Sequence, residues 1–464
     1  MHELVLPDDI GRPLRGALLA DTSRETLAVV FAGRSRAGRR LGSRYRLLGR
    51  DWWVAAEPDY RVHGASHLEM DPAFWSRVAK RARATGESPV IVHTHPRDPG
   101  VPRFSPSDDW GEEQLVPKLR ARAPVPVGTL VVSPGGSEGR LHERRQEAMA
   151  LRGVWGSGAR PEAVDAADAP FERQVRALGA SGHARLRSLS VAVVGNGGTG
   201  SHVAQQLVHL GVGELLVVDP DRVEASNLSR LVGASGADPA RGTPKTALVT
   251  RLARRLGTGT RVRELRASAV LDDIAREVAR MDVVFGCTDT QWSRAVLNVV
   301  AHQYYVPVID IGVELASRGG LGGRVTVLGP GEGCLWCLGL LSEERVRAEQ
   351  LGPEGFEAQR AAGYVNDVDV RQPAVVSING VVASLAVTEF LDRVTGFRGA
   401  EAPAGMLVYR LSDGTVRRVS IGGRTCPACA GATRGAGDLA ALPTAKPPAI
   451  VTPVTSPSVQ AGTA

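Results

Sequence analysis

Cysteine is scarce in this sequence, with five residues among 464. Four of them form two Cys-x-x-Cys pairs, Cys334 with Cys337 and Cys426 with Cys429, and the fifth is Cys287. Disulfide-rich secreted proteins use cysteine much more densely, whereas paired cysteines in a reducing compartment commonly bind metal. The cysteines therefore indicate a metal site rather than a disulfide framework.

Long apolar runs and blocks of like charge are also missing. Polar residues interrupt the longest mostly apolar stretch, residues 374–391, so a buried helix is a better interpretation than a membrane span. The formal net charge of +7 comes from scattered arginines, which argues against a nucleic-acid partner. The opening MHELVLPDDI lacks the basic and apolar parts of a secretory signal. We expect a cytoplasmic protein that binds neither membrane nor nucleic acid.

What is present divides the chain into two α/β domains. In residues 1–154, LAVVFAG, SPVIVHTH and VGTLVVSP are typical of strands, and DPAFWSRVAKRARATG is typical of a helix. Residues 155–170, rich in Gly, Ala and Pro, are expected to form a linker. Residues 171–434 alternate strands (SVAVVG, ELLVVD, RVREL, DVVFGC, VPVIDIG) with helices, which predicts a Rossmann-like, mainly parallel sheet. Residues 435–464 have the composition of a disordered tail.

Two histidines end the run SPVIVHTH. Because side chains alternate between the faces of a strand, His93 and His95 point the same way, and Asp108 offers a third ligand after a proline-rich loop. Three ligands with an open fourth position are typical of catalytic zinc, which activates water. A helix start is an equally compatible interpretation of the segment, with Ser105 as N-cap, Pro106 first and Asp108 third.

The string His-x-His-Pro, a loop and Ser-x-x-Asp resembles the JAMM motif of the JAB/MPN metalloproteases, a family that includes deubiquitinases. The resemblance covers the larger part of the first domain and implies a small α/β fold of that type. It implies that His93, His95 and Asp108 bind zinc. It also implies that Ser105 stabilises the oxyanion and that Glu25, in SRETLAVVFAG, is the general base.

Glycines dominate the segment VAVVGNGGTGSHVAQQL between a predicted strand and a predicted helix. They are Gly195, Gly197, Gly198 and Gly200. Such a loop turns tightly and lets the backbone approach phosphates at a helix N-terminus. Asp219 ends the next strand, where an acid accepts hydrogen bonds from ribose hydroxyls. Taken alone, this pattern also fits a nicotinamide dinucleotide.

The residues that follow favour ATP. Asn227, Arg230 and Lys245 come after the second strand, and Asp289 follows the strand DVVFGC, with Arg294 shortly behind it. Cations near a glycine loop, and an acid at the carboxyl end of a neighbouring strand, suit a triphosphate with Mg²⁺ better than a dinucleotide.

These features together resemble the ThiF/MoeB-type superfamily, adenylating enzymes related to ubiquitin-activating enzyme. The match includes FERQ before the first strand, the glycine loop, DPDRVEASNLSR with Asp221, Lys245, Asp289 and both cysteine pairs. The resemblance implies that Asp219 binds the ribose and that Asp289 holds Mg²⁺. Phosphate contacts are implied for Asn227, Arg230 and Lys245. Arg173 would reach into the site of a partner subunit, which implies a homodimer.

The four paired cysteines supply enough thiolates for a closed structural zinc site, with two redox dithiols as the alternative. Cys287, in DVVFGC, is expected to be a buried structural thiol. Many relatives carry a catalytic cysteine on a crossover segment, but residues 338–425 contain none. A thioester requires a thiolate, so adenylation is expected to be the whole reaction of this domain.

Combined, the two resemblances predict a bifunctional enzyme that uses ATP, Mg²⁺ and zinc. The protease half would cleave at the C-terminal Gly-Gly of a ubiquitin-like or sulfur-carrier protein, either maturing it or removing it from a target. The second half would adenylate the exposed carboxylate, with a conjugating enzyme as a further possible partner. Three alternatives stay open at this stage: sulfur-carrier activation for metabolite biosynthesis, a binding scaffold with an inactive protease half, and a nicotinamide-dependent oxidoreductase.

Overall fold

The computed structural model of the chain describes residues 2–37, 44–65, 67–143, 148–155, 169–316, 320–352, 357–358, 361, 374–399, 405–419, 421 and 426–445. Residues 156–168 of the predicted linker and residues 446–464 of the predicted tail lie outside this part. None of the described helices has the length and hydropathy needed to cross a bilayer.

The first domain is a closed barrel with helices packed on it. Its strands are β1 (His2–Leu6), β2 (Leu27–Ala37), β3 (Arg44–Val54), β4 (Tyr60–His63), β5 (Leu68–Met70), β6 (Ser88–Thr94), β7 (Val127–Ser133), β8 (Gly136–His142) and β9 (Met149–Trp155). The barrel order is β1-β3-β2-β6-β7-β8-β9, closed by parallel pairing of β9 with β1, while β4 and β5 form a separate hairpin. Its helices are α1 (Asp8–Leu18), α2 (Pro72–Thr85) and α3 (Pro106–Arg122).

Alternation along the strands divides the apolar residues between two cores. Val30 and Val90 point into the barrel, whereas Val29 and Ile91 belong to an outer cluster that α2 and α3 cover. The strands predicted from LAVVFAG, SPVIVHTH and VGTLVVSP are confirmed as β2, β6 and β7, and the predicted helix is confirmed as α2. His93 lies two residues after Ile91 on β6 and points to the same face of the strand. The outer core therefore borders the histidine pair.

The second domain is built on a sheet of eight described strands. They are β10 (Ser190–Val194), β11 (Glu214–Val218), β12 (Arg261–Leu265), β13 (Val283–Gly286), β14 (Val308–Ala316), β15 (Gly320–Leu328), β16 (Met406–Arg410) and β17 (Thr415–Val419). The helices of this domain are α4 (Glu172–Ser188), α5 (Gly198–Leu210), α6 (Lys245–Leu256), α7 (Asp272–Ala279), α8 (Gln291–Tyr304), α9 (Glu343–Gln350), α10 (Val376–Thr395) and α11 (Pro427–Ala430).

The order of this sheet is β12-β11-β10-β13-β14-β15-β16-β17. The five strands predicted from sequence are β10 to β14, and each pairing among them is parallel, as expected for a Rossmann-like fold. Three antiparallel strands, β15 to β17, extend the sheet beyond the prediction. Apolar clusters cover both of its faces, which explains why the central strands are apolar throughout.

The predicted disordered tail requires a correction, because residues 435–445 are folded. We call residues 431–445 the C-terminal strip. Its Asp438 amide donates to Arg34 O (2.7 Å) in the barrel, and Gln303 of α8 donates to the Gly437 carbonyl (2.9 Å). The composition of this segment predicts disorder. These hydrogen bonds to both domains stabilise a folded conformation that the local sequence alone does not favour.

The two domains also touch directly beside the strip. Arg46 of the barrel donates to the Met281 carbonyl (3.1 Å) and to Asp282 Oδ1 (2.5 Å). Tyr305 donates its hydroxyl to the Gly49 carbonyl (2.9 Å) from a left-handed backbone conformation (φ 54°). Buried polar contacts of this kind hold one orientation between the domains.

Candidate functional site

Three potential metal ligands converge at the end of β6. Nε2 of His93 lies 3.1 Å from Oδ1 of Asp108, and Nε2 of His95 lies 3.3 Å from its Oδ2. One donor atom from each residue can be chosen so that all three lie within 4.8 Å of one another. The sequence therefore identified side chains that the fold does bring together.

The start of α3 fixes the carboxylate of this group. Ser105 is the N-cap, and its Oγ accepts from the Asp108 amide (3.2 Å). The Ser105 amide (2.7 Å) and hydroxyl (2.8 Å) both donate to Asp108 Oδ2. The N-cap interpretation is therefore confirmed, with Pro106 as the first helical residue. The same bonds orient Asp108 toward the histidines.

Glu25 lies beside the three residues, just before β2 begins. Leu27 pairs with His93 across the strands, and the Thr94 amide donates to Thr26 O (3.1 Å), so Glu25 falls opposite His95. Burial raises the pKa of the Glu25 carboxyl above its usual range, while the neighbouring imidazoles oppose this. A carboxyl group with a raised pKa is suited to taking up a proton.

A cleft of about 410 Å³ opens next to this group. Glu25, His93 and Asp108 line it, together with apolar side chains from the hairpin and from α2 and α3 and with polar ones such as Glu112 and Lys118; the apolar residues include Met70, Trp75, Trp110 and Leu115. A substrate chain in this cleft would therefore pass beside His93 and Asp108.

The residues fit a zinc ion. Within the described residues, the buried Nε2 of His93 has no hydrogen-bond partner, although Asp108 Oδ1 is close to it. A buried polar atom without a partner is costly, and donor atoms that crowd together without hydrogen-bond geometry are typical of ligands arranged around a cation. Two imidazoles and a carboxylate are a ligand set that zinc accepts.

In the second domain, the glycine loop joins β10 to α5. Gly195 has a positive φ of 88°, and a Cβ there would lie 2.6 Å from Cys287 O. A Cβ on Gly200 would overlap the Gly195 carbonyl, whereas one on Gly197 would meet no atom within 4 Å. Two glycines are thus required by packing, and the third borders open space at the N-terminus of α5, where a phosphate could bind.

Asp219 lies 5% exposed at the end of β11. Its Oδ2 accepts from the Asn196 amide (2.6 Å) and its Oδ1 from the Asp221 amide (2.8 Å). Burial raises the pKa of Asp219, which these hydrogen bonds and Lys245 partly counteract. Each oxygen retains a lone pair, so the carboxylate could still accept from ribose hydroxyls.

The predicted cationic residues surround the same loop. Lys245 opens α6 and binds Asp221 Oδ2 through Nζ (2.7 Å). The Cδ atom of Arg230 lies 3.4 Å from the Cβ position that Gly198 lacks. Asn227 accepts from the Glu224 amide through Oδ1 (3.2 Å) and is buried. Both cations thus have protein partners in this structure, Lys245 on Asp221 and Arg230 on Ser226 O (2.7 Å), while their side chains or backbone border the loop.

Of three further predicted residues, two are exposed and the third lies in an ion pair. Asp289 is exposed after β13, at the carboxyl edge of the sheet. Arg173 is exposed near the start of α4. Arg294 binds both oxygens of the buried Asp310, at 2.9 and 2.5 Å, so its charge is already neutralised inside the protein.

The four paired cysteines come together beside α8. The Sγ atoms lie 3.7 Å apart for Cys334 and Cys426, 3.7 Å for Cys337 and Cys429, and 3.8 Å for Cys426 and Cys429. A disulfide would require about 2.05 Å, whereas a tetrahedron with zinc–sulfur bonds of about 2.3 Å has edges of about 3.8 Å. The thiolates therefore fit a tetrahedral zinc ion.

Two buried asparagines near the glycine loop were not predicted. Asn196 connects the loop to its surroundings, because its amide donates to Asp219 and its Nδ2 donates to Lys245 O (2.7 Å). Its position between two glycines was a usable signal. Asn379 approaches Gly198 from α10. No local motif marks it, because 180 residues lie between Gly198 and Asn379 in the sequence.

Comparison with known proteins agrees with this geometry. The model of the ThiF family matches residues 171–430. The match covers more than half of the chain, and the protein belongs to the ThiF family.

Several curated relatives are similar to the chain. The sulfur carrier protein ThiS adenylyltransferase of Escherichia coli K12 is 30% identical over 263 residues, covering 54% of this chain and 89% of the relative. The SAMP-activating enzyme E1 of Haloferax volcanii is 35% identical over 161 residues, covering 35% and 57%. Among solved structures, E. coli MccB with MccA-N7isoASN gives a TM-score of 0.46 at 17% identity, covering 57% of this chain and 75% of that one.

Proposed function

We propose that residues 171–434 adenylate the C-terminal carboxylate of a ubiquitin-like or sulfur-carrier protein with ATP and Mg²⁺. The observation that carries this proposal is the meeting of the glycine loop, Asp219 and Lys245, which Asn196 connects through two hydrogen bonds. Membership of the ThiF family and its similarity to an adenylyltransferase and an activating enzyme support adenylation rather than nicotinamide chemistry.

In this proposal, Asp219 binds the ribose and the N-terminus of α5 receives the phosphates. The carrier carboxylate attacks the α-phosphorus, the bond from this phosphorus to the oxygen that bridges it to the β-phosphate breaks, and pyrophosphate leaves; a bound Mg²⁺ would neutralise part of its charge. Arg230 and Lys245 stabilise the charge that develops, with Asn227 as a further phosphate contact. Asp289, at the edge of the sheet, would hold the Mg²⁺, and Arg173 would come from the partner of a homodimer.

The test is carrier-dependent exchange of labelled pyrophosphate into ATP. Lys245→Ala should lower this exchange by about 10²- to 10³-fold, because one charge-assisted contact to the reacting phosphates is removed. Arg255→Ala is the matched control, since it removes an exposed cation from the same helix. Equal rates for Lys245→Ala and the control would contradict the proposed role of Lys245. A wild-type protein without exchange would contradict adenylation itself.

We further propose that the barrel domain is a JAMM-type zinc hydrolase acting at the C-terminal end of the same carrier. The supporting observation is the unpartnered His93 Nε2 facing Asp108, with His95 alongside. Zinc bound there would supply a Lewis acid for the attacking water and the scissile carbonyl. Glu25 would take the proton from water and deliver it to the leaving amine, and Ser105 would donate toward the carbonyl oxygen.

A pair of neighbouring acids gives a sharp test. Asp108→Asn should abolish cleavage of a carrier joined to a reporter through its C-terminal glycines, whereas Asp109→Asn should cleave at the wild-type rate. Asp109 is half exposed and pairs with Arg140 outside the ligand group. Cleavage by Asp108→Asn equal to that of the control would support the alternative of a binding scaffold with an inactive protease half.

Mass spectrometry of the carrier would separate the two fates of the adenylate. A gain corresponding to a terminal thiocarboxylate would favour the sulfur-transfer route. An isopeptide-linked product would favour conjugation, in which the barrel domain would remove the carrier from its target.

A further inference from the structure

Asn379 occupies an unusual position against the glycine loop. It is on the first turns of α10 and is 2% exposed. A Cβ on Gly198 would overlap its Nδ2 atom, and the Cδ atom of Arg230 lies 3.4 Å from the same point. The amide of Asn379, the backbone of Gly198 and the side chain of Arg230 therefore meet where α5 begins.

The amide group of Asn379 is unused within the protein. Across the described residues, its Nδ2 and Oδ1 atoms take part in no hydrogen bond, although the Asn379 main-chain amide donates to Val375 O (3.0 Å). Two other buried asparagines make side-chain hydrogen bonds, although Asn196 Oδ1 has no partner within the described residues. Asn298 accepts from the Leu335 amide (2.8 Å) and donates to Cys334 (3.6 Å), and Asn196 donates to Lys245 O. Within the described residues, both Nδ2 donors of Asn379 therefore remain available to a ligand that enters beside Gly198.

The electrostatic surroundings indicate an anion. The N-terminus of α5 carries a partial positive charge, and the Arg230 side chain passes Gly198 at its Cδ before its guanidinium donates to Ser226 O (2.7 Å). The N-terminus of α10 adds to this, because its N-cap residue, Val375, supplies no side-chain acceptor for the first-turn amides. An acceptor that binds here would thus be met by donors from two helices.

We propose that the Asn379 amide donates a hydrogen bond to a non-bridging phosphate oxygen of the bound ATP, at the phosphate seated against Gly198. This inference rests on the proposed adenylation. A neutral donor adds a contact from α10 without placing another cation beside Arg230. Asn379 then belongs to the nucleotide-binding residues, although it is remote from the glycine loop in sequence.

The competing explanation is that Asn379 only fills space between α5 and α10. Asn379→Leu separates the two, because leucine has a similar volume and no donor. If the amide only fills space, leucine preserves nucleotide affinity. If the amide binds phosphate, leucine weakens ATP binding on the order of 10- to 100-fold, the range for a hydrogen bond to a charged group. Asn379→Asp should weaken it further, because a carboxylate repels the triphosphate.

The experiment is isothermal titration of the full-length protein with Mg²⁺·ATP and, separately, with adenosine. Ser384→Ala is the matched control, since it removes the hydrogen bond from Gln206 Nε2 (3.2 Å) between the same two helices, away from the loop. We expect both Asn379 variants to lose affinity for ATP and to retain the wild-type affinity for adenosine. Melting temperatures near the wild-type value would show that the variants fold.

Two results would overturn the inference. ATP affinities of both variants within twofold of the control would show that the amide does not bind phosphate. An equal loss for ATP and adenosine would show that the substitutions act through the shape of the site. Failure of the wild-type protein to bind ATP at all would instead reject the proposed adenylation, and the inference with it.

Discussion

The imidazole of His93 and the carboxylate of Asp108 lie 3.1 Å apart without forming a hydrogen bond. Strand β6 positions the first residue and the capping box of α3 positions the second, so each is held by backbone geometry rather than by the other. Two side chains held in this way stabilise the protein little unless a cation lies between them and binds both.

The first prediction is a zinc content of two ions per chain, one held by this group and one by the four cysteines. His93→Ala should contain one ion, because two remaining ligands hold zinc weakly. Cys337→Ser should also contain close to one. Inductively coupled plasma mass spectrometry of the purified variants measures both values. Two ions in His93→Ala would mean that His93 is not a ligand.

The second prediction concerns Asp238, which lies in the turn before α6. Arg251 donates to both of its oxygens (2.9 and 2.8 Å), and the Ser235 and Thr243 hydroxyls donate to it as well (2.8 and 3.0 Å). These hydrogen bonds, Arg251 foremost, hold the pKa of Asp238 well below its usual range. Asp238→Asn should therefore destabilise the protein by about 1–3 kcal/mol at pH 7, because the NH₂ group of asparagine would face side chains that donate hydrogen bonds to the carboxylate.

The pH dependence follows from the sign of this shift. Because folding lowers the pKa of Asp238, its ionised form stabilises the protein above about pH 4, and this contribution falls as the pH drops below that value. The stability difference between wild type and Asp238→Asn should shrink accordingly in melts between pH 7 and pH 3. Glu113→Gln, at an exposed carboxyl group on α3, is the control and should change little. A difference independent of pH would contradict the prediction.

The third prediction tests the contact between barrel and strip. A Cβ on Gly33 would overlap the Gly435 carbonyl, so Gly33→Ala should displace the strip and cost about 1–3 kcal/mol. Gly16→Ala is the control, because a Cβ there meets no atom within 4 Å and alanine favours its helix. Hydrogen exchange of peptides from residues 431–445 should accelerate only in Gly33→Ala. Unchanged exchange would show that the strip tolerates the added methyl group.

The fourth prediction is that the protein forms an acyl-adenylate but no thioester with its carrier. Cys287 is partly rather than fully buried, and this burial raises the pKa of its thiol above the usual range, so the nucleophilic thiolate is scarcely populated. The other four thiols belong to the cysteine group. Incubation with ATP and carrier, followed by non-reducing gels, should show no thiol-sensitive adduct. An adduct that is absent in Cys287→Ala would identify Cys287 as an acyl-transfer nucleophile.

How far the sequence predicted the structure depended on the range of each interaction. The strands β10 to β14 and the His93, His95 and Asp108 group follow from periodicity and short spacing, which are local properties. The strand β15 reads GLGGRVTVL and was missed, because its pairing with β14 and β16 compensates for a glycine-rich sequence. Asn379 could not be found because only the packing of α10 on α5 brings it to Gly198.

The C-terminal strip has a consequence for how the chain is made. Residues 431–445 leave the ribosome only after the barrel and the parallel sheet have emerged, yet they carry the hydrogen bonds of Arg34 and Gln303 that join these two units. Arg434 adds an ion pair with Asp9 (2.6 Å) across nearly the whole length of the sequence. The halves can therefore collapse independently during synthesis, and the strip later adds its contacts to those of Arg46 and Tyr305 in fixing their mutual orientation.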